Sequence, residues 1–130
     1  MDTGLIIKDS AQDVATTYNK LRSIIDNNPN LTILMELNHS ANAAKAGLQL
    51  EDTRIIMFGN PKLGTPLMQA SPTVAIDLPQ KITVYATPSG TKIAYNDPMY
   101  LKARHDIRDK EEILSKISGA LDAITTKATE

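Results

Sequence analysis

Five side chains that could bind or activate a small molecule lie just after predicted strands or near the start of the helices that follow them. His39 follows the second predicted strand, Asn60 the third and Asp97 the fifth, while Thr65 and Tyr100 lie a few residues farther on. Imidazole can act as acid, base or ligand because its unperturbed pKa of about 6.5 lies near physiological pH. If these strand ends share one edge of a sheet, the five side chains form one polar cluster. We expect that cluster to bind a small ligand, with His39 and Asp97 as candidate catalytic groups.

Other roles for these side chains compete with a binding site. His39 can be a hydrogen-bonded residue that ends the core, because most interior polar groups are simply satisfied. A metal site formed by Glu36, His39, Asp97 and His105 is disfavoured, although imidazole and carboxylate together suit zinc or iron. Glu36 and His39 are three residues apart and therefore lie on opposite faces of a strand. No metal site and no particular cofactor is predicted.

The segment 58–69 joins a predicted strand to a helix through a loop with two glycines and two prolines. Thr65-Pro66 is typical of an N-cap followed by proline at the first helical position, so we predict a helix over 66–70. Backbone amides at a helix start attract anions, and Lys62 is adjacent, which suggests a phosphate site. The loop lacks the glycine-lysine-serine ending of a Walker sequence, and its prolines remove donor amides, so a structural turn is favoured.

Two further polar motifs are given structural interpretations. Asp77-Leu78-Pro79 predicts a shaped entry to the hairpin that follows it, with Asp77 as a catalytic acid as the alternative. His105, beside Arg104 near the end of a short predicted helix, is expected to interact with the last carbonyls of that helix and with its dipole.

Composition excludes several classes of function. The chain carries 14 Lys and Arg against 15 Asp and Glu, a formal net charge of −1, without a basic cluster. We therefore expect no nucleic-acid partner, because such binding depends on clustered cations that neutralise phosphates. The absence of cysteine excludes disulfides and thiolate chemistry. No apolar run approaches the roughly 18 residues that cross a bilayer, so no membrane partner is predicted and a cytoplasmic location is expected.

Hydrophobic periodicity predicts two long helices. A stripe over 14–25 predicts a first amphipathic helix, capped by Ser10 and stopped before Pro29. A second stripe over 113–124 predicts a closing helix that begins with a capping box of Asp109 and Glu112, and the residues after Ile124 are expected to fray. Alternation over 30–39 instead predicts a strand, whose apolar face consists of Leu31, Ile33, Met35 and Leu37.

The remaining strands are predicted over 5–8, 53–58, 81–87 and 91–96, and short helices over 40–46, 66–70 and 97–104. Two long helices and five mainly antiparallel strands predict an α+β two-layer sandwich. Its order is strand, helix, four strands, helix, with both long helices on one sheet face. One domain is expected over residues 1–130, because a chain of this length has a single core. A sheet with uncovered edges and one uncovered face favours a homodimer.

Five ordered motifs in this chain resemble the family of the domain of unknown function 302. They are HSANAA at 39–44, FGNP at 58–61, GTPLM at 64–68, IDLP at 76–79, and YNDPMYL at 95–101 continued by RH at 104–105. The resemblance spans residues 4–107 and implies a strand-helix-four strands-helix fold of the TATA-binding-protein-like type, found mainly in bacteria and archaea. It implies no settled activity, and a shared fold is no warrant for DNA binding. The closing helix over 109–124 lies outside these motifs and depends on periodicity alone.

Three functions stay open at this point. The leading hypothesis is a small homodimer that binds a small ligand at the polar cluster of His39, Asn60, Thr65, Asp97 and Tyr100. A second is a homodimeric protein-interaction module without a ligand, whose motifs only build turns. A third is a His-dependent enzyme of unknown reaction, with His39 as general base near Asp97.

Overall fold

A computed structural model describes residues 2–130 of the chain. The elements are β1 (Leu5–Ser10), α1 (Val14–Asp26), β2 (Thr32–Asn38), α2 (His39–Lys45), β3 (Thr53–Gly59), α3 (Pro61–Ala70), a 3-10 helix (Pro72–Ile76), β4 (Gln80–Thr87), β5 (Gly90–Asn96), α4 (Pro98–His105) and α5 (Glu111–Ala128). This order confirms the predicted sequence of strand, helix, four strands and helix. The helices α2, α3 and α4 are short additions between the strands and before α5.

The five strands form one antiparallel sheet in the order β1-β5-β4-β3-β2. We call the end of the sheet that contains Leu5, Asn96, Gln80, Gly59 and Thr32 the upper edge. The opposite end, the lower edge, contains Ser10, Gly90, Thr87, Thr53 and Asn38. Helices α1 and α5 pack against each other and against the same sheet face. The predicted α+β two-layer architecture is therefore confirmed.

The core lies between this helix pair and the sheet, and it is built almost entirely from aliphatic side chains. Burying one such side chain contributes about 1.5–3 kcal/mol relative to leaving it exposed. Leu21 and Ile25 of α1 are fully buried, as the stripe over 14–25 predicts. The sheet presents the buried residues Ile56, Phe58, Ile82, Val84, Ile93 and Tyr95 to the helices.

The face assignment predicted for β2 is wrong, because the strand contains a bulge. Ile33 pairs with Phe58, but Met35 pairs with Met57, so Leu34 is an extra residue on the β2 side. Directly paired residues share a face, and an extra residue reverses the alternation that follows. Ile33 therefore faces the helices, whereas Met35 lies on the opposite face of the sheet.

Two predicted helix starts also differ from the observed ones. β1 continues through Ser10, so the N-cap of α1 is Asp13, whose carboxylate accepts the Thr16 backbone N–H at 2.8 Å. Asp109 adopts a left-handed backbone conformation with φ of 60°, and α5 begins after Lys110 without a side-chain cap. Asp109 therefore turns the chain between α4 and α5 and forms no capping box.

The tail that was expected to fray after Ile124 is ordered helix as far as Ala128. Thr125 and Ala128 are fully buried against the core. The Ala11 backbone N–H donates to the Thr129 carbonyl at 3.0 Å, which ties the end of α5 to the β1–α1 connection. Tertiary burial here overrides the general tendency of chain ends to fray.

Candidate functional site

The structure separates His39 from Asn60 and Asp97, so the expectation that these three lie together is wrong. His39 is exposed and begins α2 at the lower edge, next to the pair formed by Asn38 and Arg54. Asn60 and Asp97 follow β3 and β5 at the upper edge. A strand of this length separates the two edges by about 20 Å. Antiparallel neighbours such as β2 and β3 necessarily end at opposite edges.

Asp97 and Tyr100 make structural contacts that join α4 to β1. The Asp97 carboxylate accepts the Met99 backbone N–H at 3.0 Å and caps α4, as predicted from the Asp-Pro sequence. The Asp97 backbone N–H donates to the Gly4 carbonyl at 2.8 Å. The Tyr100 ring lies directly against Gly4, where an added Cβ would be 2.2 Å from the ring Cγ.

Asn60 and Thr65 lie at a cavity of about 250 Å³ at the upper edge, whereas His39, Asp97 and Tyr100 do not line it. The cavity is lined by the upper ends of β2, β3 and β4, by α3, and by residues 117–124 of α5. Its volume exceeds the roughly 150 Å³ that holds benzene in an engineered apolar site. The apolar side chains around it include Leu31, Leu34, Phe58, Leu63, Met68, Leu78, Ile117, Ala120, Leu121 and Ile124.

The wall formed by α3 begins earlier than the sequence predicted. Asn60 has an extended backbone and its side-chain oxygen accepts the Lys62 backbone N–H at 3.1 Å, so the helix starts at Pro61. The prediction that Thr65 caps this helix is wrong, and Pro66 lies inside it. Both Asn60-Pro61 and Thr65-Pro66 can start a helix, but β3 ends at Gly59 and leaves the first pair in position. Thr65 is exposed, at the rim of the cavity.

The cavity lining carries no ionisable side chain among residues 2–130. Its polar side chains are the neutral groups of Thr32, Asn60, Thr65 and Gln80. A charged ligand would lose its hydration there without gaining an ionic partner, which costs several kcal/mol or more. The lining therefore favours a neutral and largely apolar molecule, held in orientation by a few amide and hydroxyl groups at the rim.

A second polar cluster lies where the 3-10 helix meets α4. His105 Nε2 is 2.5 Å from Asp77 Oδ2, and His105 Nδ1 is 2.8 Å from the Thr73 hydroxyl. Arg104 donates to both Asp77 carboxylate oxygens, at 3.1 and 2.9 Å. The His105 and Asp77 side chains are only 5% and 13% exposed. The Ser71 hydroxyl donates to the His105 carbonyl at 2.7 Å and helps to hold the two elements together.

The sequence did not predict this cluster. The expectation that the His105 ring interacts with the last carbonyls of its own helix was wrong. The ring instead contacts Asp77 and Thr73, which are 28 and 32 residues away in the chain. One signal was present in the sequence: both titratable residues belong to the motifs IDLP and RH. Their pairing depends on the return of the chain through the β4–β5 hairpin, which periodicity does not specify.

Glu36, which was weighed as a metal ligand, is engaged by α1. Its Oε1 accepts the Tyr18 hydroxyl at 2.6 Å and Arg22 Nε at 2.9 Å. Burial, and then the neighbouring Glu36 carboxylate, raise the pKa of Tyr18 above its ordinary value, so the phenol stays protonated as a donor. The Arg54 guanidinium lies 5.7 Å from the centre of the Tyr18 ring.

Among residues 2–130, no group of three or more His, Asp or Glu side chains is arranged to hold a metal ion. No helix in the same described part of the chain is long and apolar enough to traverse a bilayer.

Comparison with known proteins gives one family of unknown function and curated relatives whose names state an activity. The family described as "Domain of unknown function DUF302" matches residues 6–124. "Fluoride-specific ion channel FluC 1" of Brucella suis biovar 1 (strain 1330) is 32% identical over 117 residues, which cover 89% of this chain and 46% of that protein. "Fluoride-specific ion channel FluC 2" of Brucella melitensis biotype 1 is also 32% identical, over 89% of this chain and 43% of that protein. The chain thus spans less than half the length of these curated relatives.

A solved structure has the same fold. The crystal structure of an uncharacterized conserved protein DUF302 from Bacillus stearothermophilus matches with a TM-score of 0.84 and covers 98% of this chain and 99% of that chain. Sequence identity is 20%, so this likeness shows the fold alone.

Proposed function

Because the chain belongs to the DUF302 family, whose description assigns no activity, we propose from the site itself that it binds a small, neutral, largely apolar ligand in the upper-edge cavity. The observation that carries this proposal is a cavity of about 250 Å³ whose lining combines aliphatic side chains with four neutral polar ones. Asn60 and Thr65 keep the ligand-binding role expected from the sequence. His39 is not part of the proposed site, because it lies at the other edge.

The size of the cavity limits the size and affinity of the ligand. Small ligands gain between about 0.3 and 1.5 kcal/mol per non-hydrogen atom. At about 0.5 kcal/mol per atom, a molecule of about nine such atoms binds with roughly 4.5 kcal/mol, a Kd near 0.5 mM. A natural ligand that also satisfies the Asn60 and Gln80 amides would bind more tightly.

The fluoride specificity named for the Brucella relatives is not part of this proposal. Fluoride is a compact, strongly hydrated anion, and a site for it must replace that hydration with cations or several donors. The cavity lining offers no cation, and its side-chain donors within residues 2–130 are two hydroxyls and two neutral amides. Sodium fluoride therefore serves as a negative control for the ligand experiment.

The test uses indole as the probe, because it is a neutral aromatic molecule of suitable size with one donor. We expect indole to shift the methyl NMR signals of Leu63, Ile117 and Leu121, which line the cavity. The methyl signals of Leu5 and Ile7, on the uncovered sheet face, should not move. Native mass spectrometry of freshly purified protein would in addition detect a retained small molecule.

Ala120→Phe should block the cavity, and Ala123→Phe is its matched control. Both alanines are exposed on α5, but only Ala120 lines the cavity. We expect indole binding to weaken at least about tenfold in Ala120→Phe, which removes about 1.4 kcal/mol, and to be unchanged in Ala123→Phe. Equal binding to both variants, or indole shifts spread over the whole surface, would overturn the proposal.

A second function, self-association through the uncovered sheet face, is favoured by a separate observation. Leu5 and Ile7 on β1 and Met35 on β2 are 48%, 52% and 44% exposed on the sheet face that α1 and α5 do not cover. A two-fold axis parallel to the strands would place strand β1 of one copy over strand β2 of the other. Each exposed apolar group would then meet another one.

The area of this face suffices for a dimer. Five strands about 4.8 Å apart and about seven residues long cover roughly 550 Å², or about 1,100 Å² for two copies. A biological interface buries at least about 1,000 Å² and a stable one typically about 1,200–2,000 Å², so this area lies at the lower end of the range. The Lys92–Asp9 ion pair on this face, at 2.5 Å, leaves no net charge from these two groups to oppose stacking.

Light scattering at about 50 µM tests self-association independently of the ligand. We expect the wild-type protein to be dimeric and Ile7→Lys to be monomeric, because a Lys at this position would have to be buried without a partner. Ile76→Lys is the control, since Ile76 is 72% exposed on the 3-10 helix. A wild-type protein that is monomeric at this concentration excludes the dimer but leaves the cavity proposal intact.

A further inference from the structure

A continuous chain of side-chain hydrogen bonds joins an exposed hydroxyl to a shielded carboxylate. It runs from Thr73 through the His105 ring to Asp77, and Arg104 donates to both oxygens of the Asp77 carboxylate. Thr73 is exposed, whereas the His105 and Asp77 side chains are almost buried. An exposed hydroxyl can form its hydrogen bonds with water. The contact of the Thr73 hydroxyl with the His105 ring is therefore not required to satisfy a buried polar group.

The direction of these hydrogen bonds follows from the chemistry of the three groups. Asp77 can only accept, so a neutral His105 ring carries its proton on Nε2 and donates it to the carboxylate. Nδ1 then holds a lone pair, and the Thr73 hydroxyl donates to it over 2.8 Å. An imidazole in this tautomer is placed to remove the proton of the hydroxyl, which is the role of the base for serine and threonine nucleophiles. The ring is used here in the opposite sense to the serine protease triad, with Nδ1 facing the hydroxyl and Nε2 facing the carboxylate.

We propose that Thr73 is a nucleophile that accepts the acyl group of an ester, with His105 as general base and Asp77 as a positioning residue. In the reaction, Thr73 Oγ1 forms a bond to the acyl carbon while its proton moves to His105 Nδ1. The bond from that carbon to the departing oxygen breaks, and the leaving alcohol takes the proton from Nδ1. The products are an acyl ester of Thr73 and a free alcohol, with the imidazole again neutral.

The test uses p-nitrophenyl acetate as the acyl donor and peptide mapping by mass spectrometry as the readout. Acetylation of Thr73 as an ester is removed by alkaline hydroxylamine, whereas acetylated lysines are stable to it. Thr65 is the internal reference, because it is an exposed threonine to which the structure gives no imidazole partner within residues 2–130. General base catalysis contributes about 100-fold or more, so Thr73 should be labelled at least about 100 times faster than Thr65.

Variants separate the chemistry from a structural role of the cluster. Thr73→Val should abolish the hydroxylamine-sensitive label and Thr73→Ser should retain it, and neither change at an exposed site should impair folding. His105→Gln should slow labelling of Thr73 to the rate of Thr65. For Asp77→Asn, the ring nitrogen NMR signals of His105 should report a loss of the Nε2–H tautomer, together with slower labelling.

The proposal fails if Thr73 in the wild-type protein is labelled no faster than Thr65. It also fails if a folded His105→Gln protein labels Thr73 at the wild-type rate. Should His105→Gln not fold, the wild-type ratio of Thr73 to Thr65 labelling decides the question without it. Self-association does not enter this experiment. Because Thr65 lines the upper-edge cavity, labelling is also measured in Ala120→Phe, whose blocked cavity should leave the ratio of Thr73 to Thr65 labelling at about 100 or more.

Discussion

Substitution of Gly4 by alanine tests the junction that joins β1, β5 and α4. Gly4 has φ of +73°, and a Cβ added to it would lie 2.2 Å from Cγ of the Tyr100 ring. The left-handed backbone costs an alanine about 1–2 kcal/mol. Pushing the ring aside adds an overpacking cost of about 1–3 kcal/mol. We therefore expect Gly4→Ala to lower the free energy of unfolding by about 2–5 kcal/mol.

Gly47→Ala is the matched control, because it isolates the backbone contribution. Gly47 has φ of +76°, but no atom lies within 4 Å of its added Cβ. Its substitution should cost only the backbone strain of about 1–2 kcal/mol. The difference between the two variants measures the contact with the Tyr100 ring, and urea denaturation followed by circular dichroism gives both values.

A double-mutant cycle tests the same contact between Gly4 and Tyr100 without relying on the absolute free energy of unfolding of either single variant. In a Tyr100→Ala background the ring is gone, so Gly4→Ala should cost no more than Gly47→Ala. A coupling of about 1–3 kcal/mol between positions 4 and 100 is expected. If Gly4→Ala and Gly47→Ala destabilise the protein within about 0.5 kcal/mol of each other, the packing of Tyr100 on Gly4 is refuted.

Three further predictions concern α1 and α3. Leu21→Ala should cost about 2–5 kcal/mol in urea denaturation because Leu21 is fully buried, whereas exposed Asn19→Ala should stay within about 0.5 kcal/mol. Asn60→Ala removes the cap of α3 and should cost about 1 kcal/mol, and Thr65→Ala, which removes no cap, should cost less than half as much. Hydrogen bonds from the first turn of α1 lower the pKa of Asp13 below its ordinary value of 3.8. The stability this gives is present above that value and lost as pH falls through the folded pKa, so the wild-type protein should lose stability in acid relative to Asp13→Asn.

Local sequence signals predicted most of the elements correctly. The Asp97-Pro98 pair predicted the start of α4, and the apolar stripe through Leu21 predicted the buried face of α1. These signals work because capping and amphipathicity depend on residues within one or two turns of each other. The same reasoning failed at Thr65, where a second cap-and-proline pair upstream, at Asn60, was closer to the end of β3.

The candidate site was predicted only in part. Asn60 and Thr65 do lie at a cavity, but the other lining residues come from five separate elements, including α5. The grouping of His39 with Asn60 failed on a simple rule of antiparallel sheets. The antiparallel neighbours β2 and β3 end at opposite edges, so the residues that follow them are about 20 Å apart.

The sequence by itself determined the α+β class, the aliphatic core and the positions of the long helices, because each depends on the spacing of neighbouring residues. The tertiary structure alone decided the bulge at Leu34, the burial of the end of α5, and the meeting of His105 with Asp77 and Thr73. These features depend on strand order and register, which are fixed by contacts between residues far apart in the chain. No local pattern encodes which distant side chain will lie opposite a given one.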